Sequence, residues 1–528
     1  MSRALLKSTS VVGGFTLVSR VLGLARDITL ATFLVVGPAL DAFFIAFKIP
    51  NFMRRLFAEG AFSQAFVPVV SEYRQTRPEE VKALVDRVAG TFGGLLLLIN
   101  IVGMLAAPLL VMAFAPGFLD NPEQFALTAE LLRVTFPYLF FIALTAFAGG
   151  ILNTYGRFGA PALAPVLLNV ALIAAATWGS RLFDEPVKAL AWGVFFAGIA
   201  QLLVQFPSLV KLGLLPRPRW DWQFPGVRRI FRLMLPALFG SSVAQINLLL
   251  DTLIASFLVA GSVSWLYYAD RLMEFPLGVF SIALATVILP QLSRDHAAND
   301  PARFSANLDF ALRLAVLIVV PAAAGLFVLA GPIIATLFFH GAFRPEDVMM
   351  SRIALMAYSV GLVGFSLVKI LAPGFYARQD TRTPVRVGFI AMGVNAALNL
   401  VFVGTMIWQD FAAPHAGLAL ATGIAALVNA ALLYKGLRAR RAFDALPGWL
   451  VFAARVTLAT TVMGIAIGIL AGPLSGWLEA GTVDRILRLA LVVASGVAAY
   501  TAALFLAGFR PRHLKPVFAA DSGARPSV

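Results

Sequence analysis

Cysteine is absent from the 528 residues, and only four histidines occur. No disulfide framework, thiol nucleophile or Cys-ligated metal is open to such a chain, and a His-rich metal site lacks ligands. Charge is scarce as well. Asp, Glu, Lys and Arg make up 13% of the residues, about half the share in an average soluble domain. A G-x-S-x-G elbow, a P-loop and a carboxylate cluster with a binding loop are all missing. These absences argue against a catalytic set and against nucleotide-driven work. Any work must draw on an ion gradient or the membrane potential.

What is present is hydrocarbon. The chain is 60% hydrophobic, in continuous runs of about 20 residues rather than alternating ones, which describes membrane helices and not a barrel. The apolar windows are 8–36, 39–70, 89–114, 126–152, 160–178, 189–210, 230–258, 263–291, 309–332, 350–376, 384–406, 414–434, 449–471 and 486–508, fourteen spans in all. The opening MSRALLKS is a short basic cap without a small-residue cleavage site, so the first window reads as a retained span. With the N-terminus inside, the inner loops hold 26 Lys and Arg and the outer loops hold 4. One missed span would invert every later loop and erase that contrast, so both termini are expected in the cytoplasm. The net charge of +15 is therefore loop bias rather than a nucleic-acid footprint. The longest inner loop, 211–232, is basic and carries Trp220 and Trp222. It is expected to lie at the membrane surface.

Three weak anchors recur at nearly one spacing. Pro108 and Gly117 match Pro332 and Gly341, Pro68 and Ser71 match Pro290 and Ser293, and Ile151-Leu152 match Ile370-Leu371. The first six spans and the next six thus read as two copies. An even number of spans keeps the copies in the same orientation, a parallel repeat with a site at its interface. The expected divisions are 1–210, then 211–442 preceded by the interfacial loop 211–229, then 443–528 with two added spans.

Charges inside spans are costly and mark function. The stretch 19–59 carries Arg20, Arg26, Asp27, Asp41, Lys48, Arg54, Arg55 and Glu59. Arg20 and Asp27 are two turns apart and share a face, with Arg26 turned by about 120° from Arg20. Asp41, Lys48 and Arg55 repeat by sevens, which favours Arg55 over Arg54, although Pro50 should kink that helix. The eighth span adds Asp270, Arg271 and Glu274, the last two spaced to pair. Lys369 precedes Pro373 in the tenth. Six basic groups against five acidic ones leave a surplus of guanidinium, which suits a phosphate- or carboxylate-bearing ligand. A second set, Asp251, Asn395, Asn399 and Thr422, offers hard oxygens. It fits Na⁺ or interhelical hydrogen bonding.

The segments SRVLGLARD (19–27), DAFFIAFKIPNFMRRLFAEGAFSQAFVP (41–68), SWLYYADRLMEFPLGV (264–279) and LAPGFYARQDTRTPV (371–385) resemble the MurJ (MviN) family of lipid II flippases. The likeness runs through essentially the whole chain. It implies an all-α polytopic membrane fold of the multidrug/oligosaccharidyl-lipid/polysaccharide exporter superfamily. Two six-helix lobes would surround a central cationic cavity, with helices 13 and 14 holding an undecaprenyl tail. The implied substrate is the lipid-linked disaccharide-pentapeptide precursor of peptidoglycan, carried by alternating access across the bacterial cytoplasmic membrane. On this resemblance the cavity arginines are Arg20, Arg26, Arg54 and Arg271, with Asp27, Asp41, Glu59, Asp270 and Glu274 beside them. Lys48, Asn51 and Lys369 complete the candidate binding set. The family favours Arg54 where spacing favoured Arg55. Asn399 stands where some relatives carry an acid, which weakens a Na⁺ site. No cofactor is required, and the expected partners are membrane lipids and a cell-wall synthesis complex around a monomer. A drug/cation antiporter would want an acidic, aromatic cavity. A membrane glycosyltransferase would want acidic residues in a large outer loop, which is lacking here.

Overall fold

Runs of apolar residues with internally bonded backbones leave helix as the only regular element, and among the described residues helix is all there is. The computed structural model describes residues 3–55 and 62–510. The side chains at 3–12, 237, 239–248, 279 and 281–283 are not described. Glu59 and most of the C-terminal tail lie outside the described residues.

The chain folds as two compact units, Met1–Ser264 with His340–Phe343, and Trp265–Phe339 with Arg344–Val528. The repeat divides the chain by sequence and these units divide it by packing, so they are different partitions. The first unit holds α1 (Arg3–Phe33), α2 (Pro38–Arg54), α3 (Ser63–Thr76), α4 (Val81–Leu105), α5 (Ala107–Phe114), α6 (Pro122–Thr135), α7 (Tyr138–Thr154), α8 (Gly159–Thr177), α9 (Pro186–Leu203), α10 (Phe206–Lys211) and α11 (Pro225–Ala255). Then come α12 (Ser262–Pro276), α13 (Ile282–Ala297), α14 (Pro301–Val328), α15 (Ala330–Phe338), α16 (Pro345–Tyr376), α17 (Arg382–Trp408), α18 (His415–Ala439), α19 (Trp449–Ala471), α20 (Ser475–Glu479) and α21 (Thr482–Leu506).

Ten helices among the described residues are long and apolar enough to cross a membrane. They supply the third to sixth and ninth to fourteenth expected spans. The remaining windows fall on α1, α2 with α3, α11, and α12 with α13. All four carry in-span charges singled out above, Asp251 being the one on α11, and α11 also includes the undescribed side chains at 237 and 239–248.

Several windows expected as single helices are interrupted. Among them, the third span breaks at Ala106, between α4 and α5, and the ninth at Leu329, between α14 and α15. Pro108 and Pro332 follow within three residues. A proline lacks the amide a continuing helix needs, and it fits the first turn of a new one. The fourth and tenth spans also end alike. Arg157 N–H bonds back to the Leu152 carbonyl at 2.8 Å and Asp380 N–H to that of Phe375 at 3.0 Å. The residues between turn left-handed, Gly156 at φ 73° and Gln379 at φ 58°.

In the first unit the rings of Phe62, Phe66, Phe92 and Phe147 stack at 4.1–5.0 Å and join α3, α4 and α7. In the second, α16 lies along α18 and α14, and α19 pairs with α21. Buried Asp309 of α14 accepts from Trp449 Nε1 at 2.6 Å, Leu446 N–H at 3.1 Å and Arg313 Nε at 2.6 Å, anchoring the start of α19.

Between α16 and α17, Asp380 accepts from Thr383 N–H at 3.0 Å and Thr383 Oγ1 at 2.7 Å and pairs with Arg440 at the end of α18. Burial pushes its carboxyl up, but the Thr383 bonds and the Arg440 pair outweigh this and hold it below the usual carboxylate range. A depressed folded value contributes stability above the unfolded value, and that stability is lost as pH falls through the folded one. Asp380→Asn should therefore lower the thermal midpoint of the purified protein by roughly 1–2 °C at pH 7. The gap should close as the pH falls below 4. A gap that is constant with pH would dismiss the ion pair.

Candidate functional site

The charges of 19–59 separate into two kinds. Arg26 and Asp27 are buried and paired side by side, with Nε and Nη2 of Arg26 at 2.9 and 2.7 Å from Oδ1 of Asp27. Arg26 Nη1 also donates to Asn169 Oδ1 at 3.0 Å, and Asn169 Nδ2 donates to the Ser19 carbonyl at 3.0 Å. Asn169 lies in α8, so one amide fixes the guanidinium and ties it to its own helix. Arg20 is exposed and makes no side-chain hydrogen bond or ion pair among the described residues. The expected Arg20–Asp27 face is thus an Arg26–Asp27 pair with Arg20 apart from it.

On α2, Arg54 is half-buried and Arg55 exposed. Arg54 Nε donates to Asn51 Oδ1 at 3.2 Å, and Asn51 Nδ2 donates to the Phe47 carbonyl at 2.9 Å. The amide is thereby oriented to present its oxygen to the guanidinium. Lys48 is half-buried on the same helix. Heptad spacing favoured Arg55, whereas the more buried of the pair is Arg54, four residues after Pro50.

Asp41 has a different partner from the one its spacing suggested. Buried at the start of α2, it accepts from Gly261 N–H at 2.7 Å, Ser264 N–H at 2.8 Å and Ser264 Oγ at 2.5 Å. It caps the turn that opens α12, where free amides and the helix dipole favour an anion. Two neighbouring contacts share this side of the first unit. Gly117 N–H donates to Ser256 Oγ at 3.0 Å, and a Cβ on Gly117 would meet the Ser256 carbonyl oxygen at 2.3 Å. Gly341, at φ 56°, sits so close to Thr32 that a Cβ would reach its carbonyl oxygen at 2.2 Å, and Ala342 N–H donates to that oxygen at 2.9 Å. All three lie on loops assigned to the outer side.

In the second unit, Arg271 Nη1 pairs with Glu274 Oε2 at 2.9 Å and its guanidinium covers the Tyr267 ring at 5.0 Å. Asp270 is half-buried and Lys369 exposed. Trp265 Nε1 donates to Asp347 Oδ1 at 2.9 Å. Asn395 and Asn399 are fully buried, and Thr422 Oγ1 donates to Asn395 Oδ1 at 3.3 Å. These neutral oxygens suit a monovalent hard cation, and Thr422 and Asn395 also bond to each other. Asp251 belongs to the other unit. Spacing alone did not find Asn169 or Ser264. A lone Asn in the apolar run LAPVLLNVAL was a signal available for the first, and nothing local marked the second.

A chain that is helical throughout its described residues, with arginines inside its expected spans, has the layout of a membrane transporter. Solved structures agree on the fold. An inward-facing multidrug transporter of the MATE family, in the MOP superfamily, matches with TM-score 0.65 at 18% identity over 80% of this chain and 94% of its own. A structure titled "Lipid II flippase MurJ, inward closed conformation" matches with TM-score 0.75 at 27% identity over 93% of this chain and 97% of its own. The family model for lipid II flippase MurJ matches residues 30–483. The probable lipid II flippase of Vibrio cholerae is 46% identical over 98% of both chains. The lipid II flippase of Burkholderia cenocepacia is 43% identical over 96% of this chain and 98% of its own. The chain belongs to the MurJ family.

The capped Asp41 can be tested without background, because no native thiol competes. Ser262→Cys places a single thiol at a fully buried position in the turn that Asp41 holds. Adding Asp41→Asn weakens charge-assisted bonds worth about 1.5–3 kcal/mol. Labelling by a membrane-impermeant maleimide should then quicken roughly tenfold or more. Equal rates would show that the cap does not hold this side shut.

Proposed function

We propose that this chain is a lipid II flippase of the bacterial inner membrane that carries its substrate from the cytoplasmic to the periplasmic leaflet by alternating access. The substrate has a diphosphate and peptide carboxylates, and its tail is hydrocarbon. A flippase must therefore supply counter-charges for the head group at membrane depth. Arg20, Arg26 and Arg54 are the first unit's candidates for that role, and Arg271 is the second unit's. The observation that carries this reading is Arg54, half-buried within a membrane span and oriented by the neutral amide of Asn51. Arginine forks match the oxygens of a phosphate. Arg26 is neutralised by Asp27 and serves more as a fixed fork than as net charge. Asp27, Asp270 and Glu274 set the orientation of the arginines beside them, and Lys48 adds a further cation.

The Asp41 cap and the two glycine contacts hold the outer side closed, and release of the substrate outward requires that they part. With both termini cytoplasmic, as the loop charges indicate, the negative-inside potential draws the site's cations inward and favours the inward-open state, by about 2.3 kcal/mol per charge per 100 mV if the whole potential is crossed. A Na⁺ held by Asn395, Asn399 and Thr422 would add a second drive. The protein acts as a monomer and passes its product to the outer-face machinery of cell-wall synthesis.

The test is depletion of the protein in living cells, complemented by stably expressed variants, with lipid II accessibility at the outer leaflet as readout. Arg54→Ala and Arg20→Ala should each cut outer-leaflet lipid II at least tenfold, and Asn51→Ala by a smaller factor. Full rescue by both arginine variants would remove the counter-charge mechanism. Normal outer-leaflet lipid II after depletion would remove the function.

A further inference from the structure

The loop between α10 and α11 is not a free cytoplasmic excursion. Its backbone is fastened along α4. Lys82 Nζ donates to the Leu215 carbonyl at 2.9 Å, Arg217 N–H to Asp86 Oδ1 at 2.7 Å and Arg219 N–H to the Asp86 carbonyl at 3.0 Å. Asp221 N–H donates to Thr91 Oγ1 at 3.1 Å, and its carboxylate pairs with Arg87 at 2.9 Å. The strap runs so close to α4 that a Cβ on Gly90 would meet the Arg219 backbone at 2.3 Å.

The strap's side chains are largely exposed, although the Trp220 ring also lies over Gly94 of α4 and the Trp222 ring packs against Phe231 at 4.7 Å. Trp220 is 66% exposed and Trp222 45%. Arg217, Arg219, Arg228 and Arg232 are exposed, and among the described residues their side chains make no hydrogen bond or ion pair. Nearby charges are otherwise occupied, with Arg229 on Glu72 at 2.7 Å and Arg87 on Asp221. Loop bias accounts for the sign of this charge but not for its fixing. A loop serving only topology needs no seat on a helix, and free guanidinium groups have no cause to be held beside exposed indoles. Arginine forks match phosphate oxygens, and indoles settle at head-group level.

We propose that residues 212–224 and the first turns of α11 form a binding site for the phosphate head group of an anionic phospholipid in the cytoplasmic leaflet. The phosphate is held by Arg217 and Arg219, with Trp220 set among the acyl chains below it. Arg228 and Arg232 extend the positive surface. The site is independent of the substrate's counter-charges, since none of its residues belongs to that set.

The test uses the full-length protein in neutral detergent and an acyl-chain-labelled phosphatidylglycerol, with labelled phosphatidylcholine for comparison. The wild type should bind the anionic lipid at least tenfold more tightly than the neutral one. The double variant R217Q/R219Q should lose that preference. It leaves the strap's fastening untouched, because the bonds to α4 run through main-chain N–H groups. R382Q/R386Q removes two exposed cations from the start of α17 and should change affinity less than twofold. Gly90→Ala keeps every charge but lifts the strap, and it should weaken binding as the double variant does. Equal losses in both double variants would reduce the site to unspecific charge. Unchanged affinity in R217Q/R219Q or Gly90→Ala, or equal binding of the neutral lipid, would overturn the proposal. Displacement of the lipid by micromolar inorganic diphosphate would also overturn it, assigning the arginines to a soluble phosphate compound.

Discussion

A charge placed among hydrocarbon has to be answered close by, because water is not there to answer it. Much of the non-hydrophobic detail in this chain follows from that constraint. Asp41 is answered by three donors from one turn, Arg26 by a carboxylate and an amide. Arg485 at the start of α21 is answered by the carbonyls of Ala480, Ala335 and Phe339 at 3.0, 2.7 and 2.9 Å. In each case the charge fastens one helix to a segment that apolar packing alone would leave free to slide. Between membrane helices the hydrophobic effect gives little preference for one neighbour over another. Polar contacts therefore carry much of the specificity, and breaking them is how such a molecule changes state.

The answered charges differ in what they leave over. Asp41 uses both oxygens on a turn and has structural work to do. Arg485 has only dipoles for partners and holds α15 and its following residue to the C-terminal helices. Arg54 has the Asn51 amide oxygen among its partners, and that oxygen orients the guanidinium.

Much of this was legible in the sequence. Spans are local events, so hydropathy and loop charge read the fourteen windows directly, and the charged stretch 19–59 stood out against them. The breaks at Ala106 and Leu329 escaped because a window average cannot see one missing amide, although Pro108 and Pro332 had already been noted as a matched pair. Heptad spacing put Asp41 on a face with Lys48 and Arg55. That argument assumes one regular helix whose charges face one place, whereas Asp41 stands at its N-terminal end and faces another turn. The partners Asn169 and Ser264 lie 143 and 223 residues from the charges they satisfy. Only the folded chain brings such pairs together.

Two contacts within the first unit recur at the spacing of the sequence repeat. Gly117 follows the third span and sits on Ser256 at the end of the seventh. Gly341 follows the ninth and sits on Thr32 at the end of the first. Gly117 and Gly341 are 224 residues apart, and so are Thr32 and Ser256. Each copy thus offers a glycine loop to the first span of the other. A repeat surviving only as shared helix grammar has no reason to produce swapped partners at one spacing. The pair has diverged in chemistry, with a serine hydroxyl on one side and a main-chain amide from Ala342 on the other. What both kept is the glycine, because at these distances any Cβ would collide with a carbonyl oxygen.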